Sequence, residues 1–283
     1  EIMNQKERMR ELVTGLNQAA KAYYQEGAEI MSNLEYDRLY DELEALEKST
    51  GIVLANSPTV RVGYEVLTEL PKERHQSPML SLDKTKDREQ LAAFLGEQKG
   101  LLSWKLDGLT VVLTYENGEL VKAVTRGNGE VGEVVTNNAQ TFVNLPLHIA
   151  YQGRLVIRGE AVILYSDFAQ INGGIEEAEG KYKNPRNLCA GTVRQLNNEI
   201  TASRRVHFFA FSLIEAAEVE FENSMEKQLE WLTQQGFDVV EYRAVNQKTV
   251  AAAVEYFEQA IQQFDVPSDG LVLMFDDIAY GLS

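Results

Sequence analysis

Apolar residues near the start of the chain recur at intervals of three and four: Met9, Leu12, Val13, Leu16, Ala19, Ala20 and Tyr23. That spacing predicts an amphipathic helix from Met9 to about Tyr24. A second stripe, Tyr36, Leu39, Leu43 and Leu46, predicts a partner helix, with Ser32 and Asn33 as candidate N-caps. Thr50-Gly51 and Asn56-Ser57-Pro58 then interrupt the pattern, because proline lacks a backbone donor and restricts the residue before it. The transition falls between about 55 and 75, and we divide the chain into a helical unit over 1–65 and a second unit over 66–283.

Beyond that point the period changes to two. Thr110 to Tyr115, Leu120 to Thr125, Leu155 to Ile163, Val206 to Ile214 and Leu271 to Phe275 are short β-rich runs, and Glu116-Asn117-Gly118 reads as a hairpin turn. Helical patterns intervene at Asp87 to Leu95, Met225 to Gln235 and Thr249 to Phe264, so the larger unit is expected to be mixed α+β.

Composition narrows the field. A chain of 283 residues with 44% apolar and 25% charged side chains is that of an ordinary globular protein, not a disordered one. The charge balance, 27 − 43 = −16, opposes a polyanion unless a local basic cleft overrides it. One cysteine, Cys189, cannot form an internal disulfide, and His75, His148 and His207 are too scattered for a Cys/His zinc site. No apolar run approaches 18 residues, and the opening segment lacks the order of a signal peptide. These features predict a cytoplasmic protein with no membrane partner.

Two strings imitate phosphate loops. Gly127 to Gly132 fits G-x-G-x-x-G, but the residues after it, rich in Val, Thr and Asn, make a poor crossover helix. Gly180-Lys181 is followed by Tyr182, where a P-loop needs Ser or Thr for magnesium, and reads as a solvated loop. Ser103-Trp104-Lys105-Leu106-Asp107-Gly108 is more informative. At the end of a strand Lys105 and Asp107, two apart, are expected on one side, and Gly108 allows a turn or a close ligand approach. Alone such a string carries little weight. Glu160, charged and within an apolar strand, is a site candidate because a half-buried carboxylate is costly unless paired or bound to a ligand.

The ordered set Glu35-Tyr36-Asp37-Arg38-Leu39-Tyr40, Ser57-Pro58-Thr59, Pro78-Met79-Leu80-Ser81-Leu82, Lys105-Leu106-Asp107-Gly108, Thr125-Arg126-Gly127-Asn128-Gly129, Arg158-Gly159-Glu160 and Asn184-Pro185-Arg186-Asn187 through Leu196 resembles the bacterial NAD-dependent DNA ligases. The resemblance covers their N-terminal helical and adenylation domains. It implies an α+β fold in which a small helical domain precedes a mainly antiparallel nucleotidyltransferase domain. It also implies that Lys105 attacks the α-phosphate of NAD, releasing nicotinamide mononucleotide and keeping AMP as a phosphoramidate. A free lysine is neutral only about one part in a thousand at neutral pH, so roughly 4 kcal/mol of activation must come from burial or nearby cations. Magnesium (Mg2+) beside the phosphates would supply part of it, and Asp107 would orient the ammonium or the metal.

By the same resemblance, Glu160 would accept the ribose hydroxyls, Arg126 and Arg186 would face the nucleotide and its phosphates, and Ser81 and Leu82 would line the adenine. Tyr23, Tyr24, Asn33, Tyr36 and Asp37 would clasp the nicotinamide mononucleotide half; Tyr23 and Tyr36 also lie on the apolar stripes, so core packing is the alternative role for those two. The chain departs from the family pattern at four places. Ser103 stands where glutamate usually precedes the lysine motif, Asn33 and Asn128 replace aspartates, and Met274 stands where a phosphate-side lysine is expected. The family's next strand and its DNA-gripping parts do not follow Ser283, so nicked DNA would be a partner only through domains missing here. A monomer is the default. Two alternatives are a catalytically impaired NAD- or AMP-binding module with a regulatory role, and a nucleotidyltransferase acting on RNA ends.

Overall fold

The computed structural model describes residues 2–60, 63–74, 88–175 and 180–283. Helices α1 (Ile2–Glu26) and α2 (Asn33–Thr50) form from the two stripes. Ser32 caps α2 by accepting the Glu35 N–H, while Asn33, the other candidate, is the first helical residue. The helix ends at Gly51, whose φ of 72° is left-handed and whose N–H donates to Glu47 O. Met9, Leu12, Val13 and Leu16 pack on Leu43, and Ile52 and Leu54 complete this small core. The seam runs on through buried Ala19 and Ala22, which leaves Tyr23 56% exposed instead of on the packed stripe.

The chain leaves this core as β1 (Val53–Leu54), which pairs antiparallel with β7 (Pro146–His148) and so becomes an edge of the main sheet. β2 (Lys72–Arg74) pairs with β6 (Val131–Glu133) in a two-stranded ribbon. α3 (Arg88–Leu95) precedes β3 (Gly100–Leu106), and β4 (Leu109–Glu116) and β5 (Glu119–Thr125) form the expected hairpin. Its turn residues, Asn117 and Gly118, have φ of 53° and 78°, the left-handed pair that matches strand twist. One-turn helix α4 (Thr136–Ala139) leads toward β7, and β8 (Leu155–Val162) follows. Helices α5 (Tyr165–Gly173), α6 (Pro185–Val193) and α7 (Asn198–Ser203) come next, then β9 (His207–Ala216), α8 (Met225–Gln234), β10 (Tyr242–Val245), α9 (Val250–Ala260), β11 (Ser268–Phe275) and short α10 (Ile278–Gly281).

Among the described residues the strands form a six-stranded sheet, β1-β7-β5-β4-β8-β9, and a three-stranded sheet, β10-β3-β11, all antiparallel within each sheet. Alternation sorts the six-stranded sheet into two faces. Val111, Leu113, Tyr115, Ile157 and Ala161 enter the large core with Leu188 and Val193 of α6. Thr110, Arg158 and Glu160 lie on the other face. β3 alternates between two cores: Leu102 and Trp104 pack on α3 and α9, whereas Leu101 reaches the large core. Ser103 and Lys105 share the Leu101 side. No helix of the described residues is long and apolar enough to cross a membrane.

The helical pair is fastened to the sheet region by charge. Asp238, after α8, receives Lys6 Nζ at 3.1 Å, Arg10, and Asn144 Nδ2 at 2.9 Å. Asn144 also donates to Phe208 O and accepts the Phe208 N–H, so a single amide joins the acid to β9.

Candidate active site

Lys105 stands at the last turn of pleat before β3 ends, and the chain then crosses from the three-stranded to the six-stranded sheet through Asp107-Gly108. The crossover is held from both sides. Asp107 N–H donates to Pro267 O, and Gly108 N–H donates to Glu160 Oε2 at 3.0 Å. A side chain at Gly108 would collide with the Ala161 carbonyl, so the close approach of the two strands requires glycine here.

The alternation that would set Asp107 beside Lys105 ends with the strand. Lys105 Nζ lies 3.5 Å from Asp269 Oδ1, at the irregular start of β11, while Asp107 Oδ1 lies 3.5 Å from Arg186 Nε. Asp269 therefore joins the lysine from a third strand. The sequence shows Asp269-Gly270 opening a strand, but register alone brings it opposite the lysine end of β3. Arg186 is presented by α6, whose start follows from chemistry: Asn184 accepts the Asn187 N–H and Pro185 occupies the first turn. That Asn-Pro pair was the available signal for a helix the periodicity did not reveal.

Glu160 accepts from Gly108 N–H and, at 2.7 Å through Oε1, from the Thr110 hydroxyl. Burial nonetheless pushes its pKa up to about 7, since the two hydrogen bonds and Arg186 only partly offset desolvation and the nearby Asp107 charge. Cys189, buried behind it, donates to Ala161 O, and burial raises its thiol well above the ordinary range. Arg126 follows β5, and its N–H donates to Thr110 O, which places it across β4 from Glu160. The Gly127–Gly132 string is the tight connection into β6, not a phosphate loop: Asn128 Oδ1 accepts the Glu130 and Val131 N–H groups, a turn a neutral amide makes without the aspartate charge.

Arg158, named in the sequence only as part of a string, lies two residues before Glu160 on the same face. Ser103 is half-buried on the Lys105 side of β3. Met274 pairs opposite Leu101. At about 3.3 Å per residue its backbone stands roughly 13 Å along the strand from the lysine rung, on the same face of the sheet as Ser103 and Lys105. Its diagonal neighbour on that face is Ser103, through Val272. Ser81 and Leu82 lie outside the described residues. Tyr24 is 82% exposed; Asn33 and Asp37 are exposed, and Tyr36 is half-buried and stacked with Tyr40. The structure thus groups Lys105, Asp107, Arg126, Glu160 and Arg186 about the crossover, and puts Tyr23, Tyr24, Asn33, Tyr36 and Asp37 on the two helices. No group of three or more His, Cys, Asp or Glu side chains among the described residues is placed to hold a metal on its own.

The described residues form a helical unit followed by mixed helices and antiparallel sheets, with a lysine at the sheet-to-sheet crossover. The model of the NAD-dependent DNA ligase adenylation domain matches residues 67–281, and that of the DNA ligase-like N-terminal NAD+-binding domain matches 3–63. The chain belongs to the NAD-dependent DNA ligase family. It is 62% identical over 97% of its length to a DNA ligase of Ruminiclostridium cellulolyticum, and 63% identical over its whole length to one of Lachnoclostridium phytofermentans. It spans less than half the length of these relatives, 42% and 43%. Among solved structures, an archaeal ATP-dependent RNA ligase (form 1) aligns with a TM-score of 0.45 and 16% identity, over 86% of this chain and 59% of its own. Such identity to DNA ligases disfavours both alternatives, the impaired binding module and the RNA-end enzyme.

Proposed function

We propose that this chain captures the adenylyl group of NAD on Lys105, the first step by which a longer protein seals nicked DNA. The observation that carries the reading is the placement of Lys105: at a glycine crossover fixed by Glu160, beside Asp269, with Asp107 two residues on paired to the cation Arg186. In the reaction the Nζ lone pair forms a bond to the α-phosphorus, the bond from that phosphorus to the bridging oxygen breaks, and nicotinamide mononucleotide leaves with the oxygen. The amine proton is released. Asp269 orients the amine, Arg186 and Arg126 neutralise the phosphates, and the buried Glu160 accepts the ribose hydroxyls while it holds the crossover amide. Ser103 faces the base. Tyr23, Tyr24, Asn33, Tyr36 and Asp37 receive the nicotinamide mononucleotide half, their exposure leaving them open to a ligand.

Asp107 and Asp269 would each offer a carboxylate to a magnesium ion, whose remaining ligands would be phosphate oxygens and water. When bound, magnesium supplies positive charge beside the α-phosphate and favours the unprotonated amine. We read residues 1–65 as the nicotinamide mononucleotide-recognition domain and 66–283 as the adenylation domain, acting as a monomer in the cytoplasm.

Incubation with NAD and magnesium is expected to add one adenylyl group by intact-protein mass spectrometry, and Lys105→Ala to abolish it. A wild-type chain that keeps its unmodified mass overturns the reading.

A further inference from the structure

Strict alternation would hide Asp269 from Lys105. On β3, Leu102, Trp104 and Leu106 face the core built with α3 and α9, and Lys105 lies on the opposite face. On β11, Leu271, Leu273 and Phe275 pack on that same core, so an unbroken period of two carried back along the strand would put Asp269 there as well, among apolar side chains. The ladder is not regular at this point. Ser268 pairs with Leu106 and Leu271 with Trp104, so two residues of β11, Asp269 and Gly270, stand opposite the single Lys105. This is a β-bulge, in which one extra residue breaks the alternation and re-aims a side chain. Its result is the 3.5 Å approach of Asp269 Oδ1 to Lys105 Nζ. Gly270 takes a φ of 153°, a conformation that suits glycine. The start of the bulge is tied to β3 and its extension: the Ser268 hydroxyl donates to Lys105 O at 3.1 Å, and Pro267 O accepts the Asp107 N–H at 2.8 Å. The first of these bonds comes from a side chain, and serine supplies it.

We propose that Ser268 is a positioning residue for Lys105: its hydroxyl locks the bulge at Asp269-Gly270, and the bulge holds the Asp269 carboxylate against the amine. The inference deepens the nucleotidyl-transfer reading and rests on it for the reaction that the amine performs. The Lys105 and Asp269 side chains are 34% and 41% exposed, so packing does little to fix their approach. An ion pair this open contributes little by its own attraction, and its geometry has to come from the backbone that carries it. The bond from Ser268 to the carbonyl of the lysine's own residue sets the backbone of the acid and that of the amine in register. A carboxylate held there orients the amine for attack.

The test combines Ser268→Ala, Ser268→Thr, Asp269→Asn and the double variant Ser268→Ala with Asp269→Asn, all in this chain. With NAD and magnesium, Ser268→Ala is expected to slow adenylyl capture about tenfold, with KM for NAD within about twofold of wild type, because alignment is lost while the binding contacts remain. Ser268→Thr, which keeps the hydroxyl, should restore most of the rate. Asp269→Asn should be at least as slow as Ser268→Ala, and the double variant no slower than Asp269→Asn, since a serine that acts through the acid has nothing left to act on. A second readout needs no nucleotide: labelling of Lys105 by acetic anhydride, measured by peptide mass spectrometry against the other lysines. Loss of the neighbouring carboxylate leaves more of the amine neutral, so labelling should quicken about threefold in Asp269→Asn and Ser268→Ala but not in Ser268→Thr. Wild-type capture and labelling in Ser268→Ala overturn the proposal, as do losses that add in the double variant or a threonine variant as slow as the alanine one. A wild-type chain that takes up no adenylyl group, yet shows the expected labelling pattern across the variants, refutes the ligase reading and leaves the bulge assignment standing.

Discussion

Where α1 meets the sheet region, Asp238 gathers Lys6, Arg10 and Asn144, whereas in the cleft Arg158 has a second arginine for a neighbour and an Nε without a partner. At the junction burial opposes both ions, yet Lys6 and Arg10 still hold the Asp238 carboxyl below its usual range. Burial brings Lys6 down to about 8, against the pull of Asp238. The charges there answer one another, and nothing further is needed to explain them. In the cleft the Arg158 Nε is buried without a hydrogen-bond partner, and the buried acid, Glu160, is raised to about 7.

The comparison is broken most sharply at Asp238. Asp238→Ala leaves Lys6 and Arg10 without their acid in a partly buried setting, and a loss on the order of 3 kcal/mol is expected in denaturant unfolding. A loss near zero would mean that the junction charges do not hold the helical pair to the sheet region.

Glu160→Gln is expected to have the opposite sign above neutral pH. Between the ordinary carboxylate value of 4.5 and about 7 the folded chain keeps a proton that the unfolded chain has lost. Stability therefore falls as pH rises through that window, and the full penalty is present above about 7. The glutamine variant should be more stable than wild type by about 2 kcal/mol above that window and equal to it below, while its adenylyl capture falls. Unfolding followed across pH checks this, and a constant offset between the two proteins would contradict it.

Thr110→Val is the finest test. It removes the hydroxyl that donates to Glu160 Oε1 and should lower stability by about 1 kcal/mol at neutral pH. It should also push the Glu160 titration higher still, which a carboxylate-resolved NMR titration would detect.

Both helices and the principal strands were legible because their apolar periods are long and regular. The ladders could not be read that way. Asp269 meets Lys105 because β11 runs antiparallel to β3 with an irregular register at its start, a fact of pairing between residues 163 apart in sequence for the neighbouring Ser268–Lys105 contact. The same ladder sets Met274 opposite Leu101. Tyr23 matched the helical period but fell outside the packed seam, since period alone does not say where a partner helix ends. Helix α6 was announced by Asn184 and Pro185 and not by its stripe. Arg158 was visible as a residue but not as an anomaly, because a missing partner is a property of space.

The 25-residue length of α1 gives its anchoring a mechanical meaning. Lys6 and Arg10 pin its opening turns, while Tyr23 and Tyr24 crown its far end, about 20 Å beyond Arg10 at 1.5 Å per residue. A tilt of about 10° at the pin carries those rings through roughly 3.5 Å, by the same rise per residue. The aromatic pair thus rides on the tip of a lever whose fulcrum is a carboxylate on the other unit.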